Sequence, residues 1–187
     1  MYETWEKLEE SINGCNKCKL CTGRKNIVFG AGNKNADIMF IGEGPGADED
    51  IQGEPFVGKA GQLMDKAFEA LEIERNNVYI GNIVKCRPPQ NRNPELDEVK
   101  ACMDYLRNQV LLIKPKIIVL LGNVALKNIL GEEYSITNSR GKWIEKKGIW
   151  YMPTFHPVVL LRDESKKIDF WRDLKLIKDK LKEITNE

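Results

Sequence analysis

The chain has 187 residues, of which 42% are hydrophobic and 30% charged, a size and composition that favour one globular domain spanning residues 1–187. The formal net charge of +1 excludes a polycation, so any contact with nucleic acid would need local clusters of Lys and Arg. We expect a cytoplasmic protein with no membrane anchor, because no apolar run is long enough to span a bilayer and the acidic start, MYETWEKLEE, does not resemble a signal peptide.

Predicted strands and helices alternate along the chain. Apolar runs predict strands at 36–44, 77–86, 116–122 and 150–156, and a hairpin at 142–152. Helical periodicity predicts helices at 3–12, 58–73, 95–113, 123–130 and 169–184. This order is typical of the α/β class, in which helices cover both faces of a parallel sheet in three layers.

The unusual stretches of the sequence fall where predicted strands end. They are GEGPG at 42–46, Asn82 followed by Lys85-Cys86-Arg87, Gly122-Asn123, and His156-Pro157. Ligands of parallel sheets bind beyond the carboxyl ends of the strands. We therefore expect these stretches to converge on one rim, although glycine and polar residues are also ordinary in loops.

The loop GEGPGADEDIQGEPFVGKAG (42–61) is rich in glycine but matches neither a dinucleotide nor a Walker fingerprint. It carries acidic side chains, among them Glu43 and Glu49, together with Phe56. Such a set suits a pocket for a neutral planar ring, or the activation of water. The plainer interpretation is a solvated acidic loop.

The segment KCRPPQNRNP (85–94) joins Lys85, Arg87 and Arg92 to stiff prolines, which suits contacts with phosphate but equally an ordinary basic surface loop. His156 is the only histidine and ends an apolar segment. A lone histidine is more often a hydrogen-bonded structural residue than a catalytic one.

Five cysteines at positions 15, 18, 21, 86 and 102 do not suit a disulfide framework in a cytoplasmic protein. Four of them could form one site. Zinc, a [4Fe–4S] cluster and a set of buried free thiols are all compatible with this spacing, which does not choose between them.

Taken together, the motifs resemble those of the family 4 uracil-DNA glycosylases, which contain an iron–sulfur cluster. The motifs that carry the resemblance, in the order of the family, are CNKCKLC, GEGPGADED, GEPFVGKAGQL, NIVKCRPPQNRNP, PKIIVLLG and TFHPVVLLR. The resemblance covers nearly the whole chain. It implies a central four-stranded parallel sheet, and a [4Fe–4S] cluster held by Cys15, Cys18, Cys86 and Cys102.

The resemblance also implies a monofunctional glycosylase that flips uracil out of DNA and hydrolyses its N-glycosidic bond. Phe56 would stack on the uracil, Asn82 would read its polar edge, and His156 would stabilise the charge that develops on its O2. Glu43 would be catalytic, acting on water or on the sugar cation. Gly44 and Glu49 would contact the base, with Glu49 at the C5 edge, where thymine has a methyl group.

Two loops would contact DNA by the same resemblance. Leu160 or Leu161 would fill the gap that the flipped base leaves, and Arg162 would contact phosphate or the opposite strand. The basic loop with Lys85, Arg87 and Arg92 would also lie against DNA. The expected partner is uracil-containing DNA and the expected state a monomer; the C-terminal KLKEITNE shows no clear signal for binding a replication clamp.

Three alternatives remain open at this point. The first is a superfamily relative with broader base specificity or one that binds uracil-DNA covalently, although the covalent branch would need a histidine-containing insertion. The second is an iron–sulfur electron carrier or redox sensor, in which Phe56, Asn82 and His156 would be dispensable. The third is a nucleic-acid-binding module without catalysis.

Overall fold

A computed structural model describes residues 2–185. Its strands are β1 (Ala31–Gly32), β2 (Ile38–Gly42), β3 (Tyr79–Asn82), β4 (Ile117–Leu121), β5 (Ile144–Lys146) and β6 (Ile149–Thr154). Its helices are α1 (Trp5–Ile12), α2 (Ala47–Gln52), α3 (Lys59–Ala70), α4 (Leu96–Ile113), α5 (Gly122–Leu130), α6 (Ile136–Ser139), α7 (Pro157–Arg162) and α8 (Lys166–Thr185).

The six strands of this described part form one mixed sheet in the order β1-β3-β2-β4-β6-β5. The four inner strands are parallel, whereas β1 pairs antiparallel with β3 and β5 pairs antiparallel with β6. The expected four-stranded parallel sheet is therefore wrong in strand number, although its four parallel strands are present as the centre. The edge strand β5 forms with β6 the hairpin predicted at 142–152, whereas β1 has two residues and is too short for a periodic pattern to reveal it.

Helices cover both faces of the sheet, as the α/β class requires. Every residue of β2 and β4 is buried, and successive side chains alternate between two cores because side chains of a strand point to opposite faces. Met39 and Ile41 pack in the core beneath α1, α4 and α5. Ile38 and Phe40 pack in the core beneath α3 and α8. The expected three layers are thus present.

Two short helices lie where the sequence predicts loops. Helix α2 interrupts the acidic loop, and α7 replaces the expected loop after His156. Both are only six residues long, so neither shows a helical period. Within residues 2–185, no helix is long and apolar enough to cross a membrane. A domain spanning 1–187 stays a prediction at its ends, because residues 1, 186 and 187 lie outside the described part.

Candidate active site

A cleft of about 650 Å³ opens at the carboxyl ends of the parallel strands. The strand register places Gly42 opposite Asn82 and Leu121 opposite Thr154, so the loops that follow all four strands meet at one edge. Eight of the predicted site residues line the cleft: Glu43, Gly44, Glu49, Phe56, Asn82, Arg92, His156 and Leu161. The predicted convergence on one rim therefore holds for the GEGPG stretch, Asn82, Gly122-Asn123 and His156, whereas Lys85, Cys86 and Arg87 do not line the cleft.

Asn82 ends β3 and is 1% exposed. Its Oδ1 is a buried oxygen without a hydrogen-bond partner in the structure. Buried polar atoms are nearly always paired, and an unpaired one costs about 1–3 kcal/mol. Because Asn82 lines the cleft, its amide is suited to accept a hydrogen bond from a bound molecule.

His156 follows β6 and caps α7. Its Nδ1 accepts a hydrogen bond from the backbone N–H of Val158 at 3.2 Å, which places the proton of the neutral ring on Nε2. Burial lowers the pKa of His156 to about 4. The ring is therefore neutral at pH 7, and it presents an uncharged N–H donor to the cleft.

Phe56 lies beside both of these residues. Its ring centroid is 5.5 Å from that of His156, at an interplanar angle of 32°. A Cβ on Gly42 would lie 2.5 Å from Asn82 Oδ1 and 2.7 Å from Phe56 Cζ. Only glycine at position 42 therefore leaves room for this arrangement of amide and ring.

The backbone of Phe56 is held by Glu49. Phe56 has φ 53°, an unusual value for an aromatic residue. The Glu49 carboxylate accepts hydrogen bonds from the N–H of Val57 at 3.0 Å and of Gly58 at 2.9 Å, and from that of Gly46 at 3.1 Å. Glu49 thus lines the cleft while its oxygens fix the loop; a role in excluding a methyl group stays a prediction.

Glu43 and Gly44 follow β2 at the cleft wall. Burial raises the pKa of the Glu43 carboxyl, which makes it a stronger base than an exposed glutamate. A Cβ on Gly44 would lie 2.7 Å from Val84 Cγ2, so a larger residue would displace the wall. The acidic pocket beside an aromatic ring, predicted from the loop composition, is present here.

Two predicted DNA contacts are contradicted by their burial. Lys85 is 1% exposed, and its Nζ donates to Gln109 Oε1 at 2.7 Å in the protein interior. Leu160 is 0% exposed and packs in the core beneath α3 and α8. The Lys85 side chain, just after the end of β3, points into the protein interior. The helical turn of α7 directs Leu160 to the core. Neither side chain therefore reaches DNA.

The other predicted contacts are accessible. Leu161 is 43% exposed at the cleft, and Arg162 lies on the surface at the end of α7. Arg92 lies at the cleft rim, where its guanidinium binds both carboxylate oxygens of buried Glu98 at 2.7 and 2.9 Å. Arg87 Nε donates to Asn91 Oδ1 at 2.8 Å. The Arg92 guanidinium is thus held by an ion pair with Glu98, and the contact of Arg87, Arg92, Leu161 and Arg162 with DNA stays a prediction.

The five cysteines surround a second, small cavity. Cys86 follows β3 and Cys102 lies on α4, and burial raises the pKa of the Cys102 thiol to about 11. Two donors point at their sulfur atoms: Arg24 Nη1 is 3.3 Å from Cys86 Sγ, and the backbone N–H of Lys85 lies 3.3 Å from Cys102 Sγ. Hydrogen bonds to sulfur are typical of iron–sulfur sites.

The chemistry of the donors bears on the choice of metal. Among residues 2–185, no group of three or more His, Cys, Asp or Glu side chains is placed to hold a metal ion. Thiolates are ligands both of zinc and of iron–sulfur clusters, so the cysteines are compatible with either group.

Two features of the site have little signal in the sequence. Arg24 reaches Cys86 from 62 residues away, and nothing in its neighbourhood marks it. Gly122 has φ +88°, and a Cβ there would lie 2.9 Å from His156 Cβ. The sequence predicts that Gly122 and His156 share one rim, but it does not predict this close approach or the positive φ of Gly122.

Comparison with known proteins gives consistent matches. The family model of the uracil DNA glycosylase superfamily matches residues 29–175. The type-4 uracil-DNA glycosylase of Sulfurisphaera tokodaii is 45% identical over 186 residues, covering 95% of this chain and 84% of that protein. That of Thermotoga maritima is 44% identical over 170 residues, covering 89% and 88%. A type-5 uracil-DNA glycosylase of Pyrobaculum aerophilum is 29% identical over 143 residues.

Proposed function

The chain belongs to the uracil DNA glycosylase superfamily, and on this premise we propose that it excises uracil from DNA as a monofunctional glycosylase. The observation that carries the proposal is the unpaired amide oxygen of Asn82, buried at the cleft between Phe56 and the strand ends. The enzyme acts on a base turned out of the DNA stack, since such chemistry cannot be reached inside a duplex.

Asn82 selects the base. Its Oδ1 accepts the N3–H of uracil and its Nδ2 donates to O4, which satisfies the oxygen that is unpaired in the free protein. Cytosine presents an acceptor at N3 and a donor at its amino group, so both hydrogen bonds would be mismatched. Phe56 stacks on the ring, and Glu49 and Gly44 complete the pocket wall.

His156 stabilises the leaving group. Cleavage breaks the bond between N1 of uracil and C1′ of the sugar, and the bonding electron pair passes to the base. The charge spreads over N1, O2 and O4. The neutral Nε2–H of His156 donates to O2 as this charge develops, in the manner of an oxyanion-hole donor.

Glu43 acts on the sugar side of the reaction. Its carboxylate, with a pKa raised by burial, orients a water molecule and takes its proton as the hydroxyl adds to C1′. The uracil anion then takes up one proton from solvent and Glu43 releases one, so the products are free uracil and a sugar without a base. The DNA strand itself stays intact, because water and not a lysine amine adds to C1′ in this reaction.

Cys15, Cys18, Cys86 and Cys102, which line the small cavity, would hold a [4Fe–4S] cluster. These four ligands would tie the N-terminal loop, the segment after β3, and α4 together. Cys21 lines the same cavity and remains a free thiol.

Serine variants at the four proposed ligands, Cys15, Cys18, Cys86 and Cys102, are expected to lose most of the bound iron and the broad absorbance near 400 nm. Cys21→Ser is the matched control and is expected to keep both, because four thiolates suffice for the cluster. Iron per protein and the visible spectrum are the measurements. Zinc in the wild-type protein, or loss of iron in Cys21→Ser alone, would contradict the assignment.

Leu161→Ala is expected to slow excision from duplex DNA more than from single-stranded DNA, because only a duplex has a gap to fill after flipping.

The neighbouring residue, Leu160, is expected to affect stability instead. Leu160→Ala is expected to lower the free energy of unfolding by about 2–5 kcal/mol, since Leu160 is fully buried. Single-turnover rates and thermal denaturation of both variants test this. Equal slowing of Leu161→Ala on both DNA forms would remove its role as a wedge.

The activity itself is tested by product analysis of a uracil-containing oligonucleotide. We expect release of free uracil and a strand that breaks only after alkali treatment. Strand breakage without alkali would indicate lyase activity. No release of uracil from an iron-loaded protein would favour a redox or binding role, and the roles of Asn82 and His156 would fall with it.

A further inference from the structure

We propose that Asp50 and Asn26 are positioning residues. Their hydrogen bonds fix the loop that holds Phe56 relative to the cysteine site. The proposal rests on the proposed function, since it takes Phe56 to stack on the bound base. Neither residue lines the cleft or the cysteine cavity. Their contacts join the two, through a continuous series that begins at Cys86 and ends at Phe56.

The series begins with Arg24. Its Nη1 lies 3.3 Å from Cys86 Sγ, and its side chain lines the cysteine cavity. The two residues that follow it turn away from the cavity to α2. The three residues 24–26 thus contact a proposed cluster ligand at one end and the acidic helix at the other.

Asp50 is the centre of the series. It is 2% exposed, and its Oδ1 accepts hydrogen bonds from the backbone N–H of Lys25 at 2.8 Å and of Asn26 at 3.2 Å. Asn26 Nδ2 returns two hydrogen bonds, to the carbonyl oxygens of Asp50 at 2.8 Å and Ile51 at 3.0 Å. Four hydrogen bonds therefore fasten segment 24–26 to the last turn of α2.

Helix α2 needs this attachment. It has six residues, and helices this short are not stable by themselves in water. Its position must therefore come from outside contacts. Asn26 satisfies carbonyl groups at the end of α2 that have no partner within a helix, and it packs against Gly53, which ends the helix at φ +76°.

The far end of the series reaches Phe56. Glu49, on the same short helix, accepts hydrogen bonds from the N–H of Val57 and Gly58, directly after Phe56. Phe56 has a left-handed backbone, which persists only where neighbouring contacts hold it. If α2 shifts, these two hydrogen bonds weaken and the ring of Phe56 loses its place beside Asn82 and His156.

The test uses iron-loaded Asn26→Ala, Asp50→Ala and Asp50→Asn, with Asn77→Ala as a control at an exposed asparagine outside the series. We expect faster hydrogen exchange at the amides of Val57 and Gly58 in the two alanine variants, and about tenfold lower kcat/KM on uracil-DNA, an effect the size of one hydrogen bond. Exchange in β3 and β4 stays as in the wild type. Asp50→Asn keeps most of the activity, since its amide oxygen accepts the same hydrogen bonds.

Unchanged hydrogen exchange at Val57 and Gly58 in Asn26→Ala would overturn the proposal. Because Asn26 is exposed, this variant decides the question even if Asp50→Ala does not fold. Faster exchange throughout β3 and β4 would also overturn it, because that pattern means general loss of stability. If the wild-type protein releases no uracil, the proposed function fails, whereas the exchange data still decide whether segment 24–26 positions the Phe56 loop.

Discussion

Replacement of His156 by alanine is expected to lower kcat for uracil excision by about 10²–10³-fold, the usual effect of removing one donor to a developing oxyanion. The neutral imidazole donates through Nε2 while Nδ1 is occupied by the N–H of Val158. Burial lowers the pKa of the ring to about 4, so the donor carries no charge at pH 7. Single-turnover rates with saturating enzyme isolate this step from DNA binding.

His156→Gln is the conservative comparison, because its amide can still donate a hydrogen bond into the cleft. We expect it to recover part of the lost rate. Both variants lose the cap on α7, which costs about 1 kcal/mol of stability and can be followed by thermal denaturation. Wild-type kcat in His156→Ala, with the fold intact, would remove His156 from the reaction.

Asn82→Ala is expected to lower kcat/KM on uracil by about 10²-fold, because two hydrogen bonds of roughly 1–1.5 kcal/mol each are lost. Stability should change little or rise, since the buried Oδ1 that is unpaired in the free protein disappears with the side chain. This combination of lost activity and retained stability is the signature of a residue kept for its ligand.

Asn77→Ala provides the matched control, since Asn77 is an exposed asparagine near the start of the same strand. We expect wild-type rates from it. The comparison of Asn82→Ala on uracil-containing and cytosine-containing strands matters most. If the variant lost no discrimination between these bases, the selection of uracil would have to come from another residue.

The sequence predicted the centre of the fold and of the site well, because both depend on strong local signals. Buried apolar runs such as Ile38–Gly42 leave few choices other than a strand between two helical layers. The rule that ligands bind at the carboxyl ends of parallel strands then joined Asn82 to His156 across 74 residues. Their contacts with the base stay predictions, but their common location is a property of the fold.

Other features depend on contacts that no local pattern records. Lys85 lies in a basic stretch yet points into the interior toward Gln109. Leu160 and Leu161 are chemically identical neighbours, and only the turn of α7 decides that one is buried and the other faces the cleft. Arg24 and Asp50 acquire their places through partners distant in the chain. Tertiary packing determines the place of each of these side chains, so the sequence alone could not predict it.

The most direct test of the account is the single-turnover excision rate of the iron-loaded wild-type protein on three oligonucleotides that differ only in carrying uracil, cytosine or thymine at one position. The pocket of Phe56, Asn82 and His156 predicts excision of uracil at a rate orders of magnitude above that of the other two bases. Equal rates on uracil and cytosine, or no excision of uracil, would contradict the role given to this cleft.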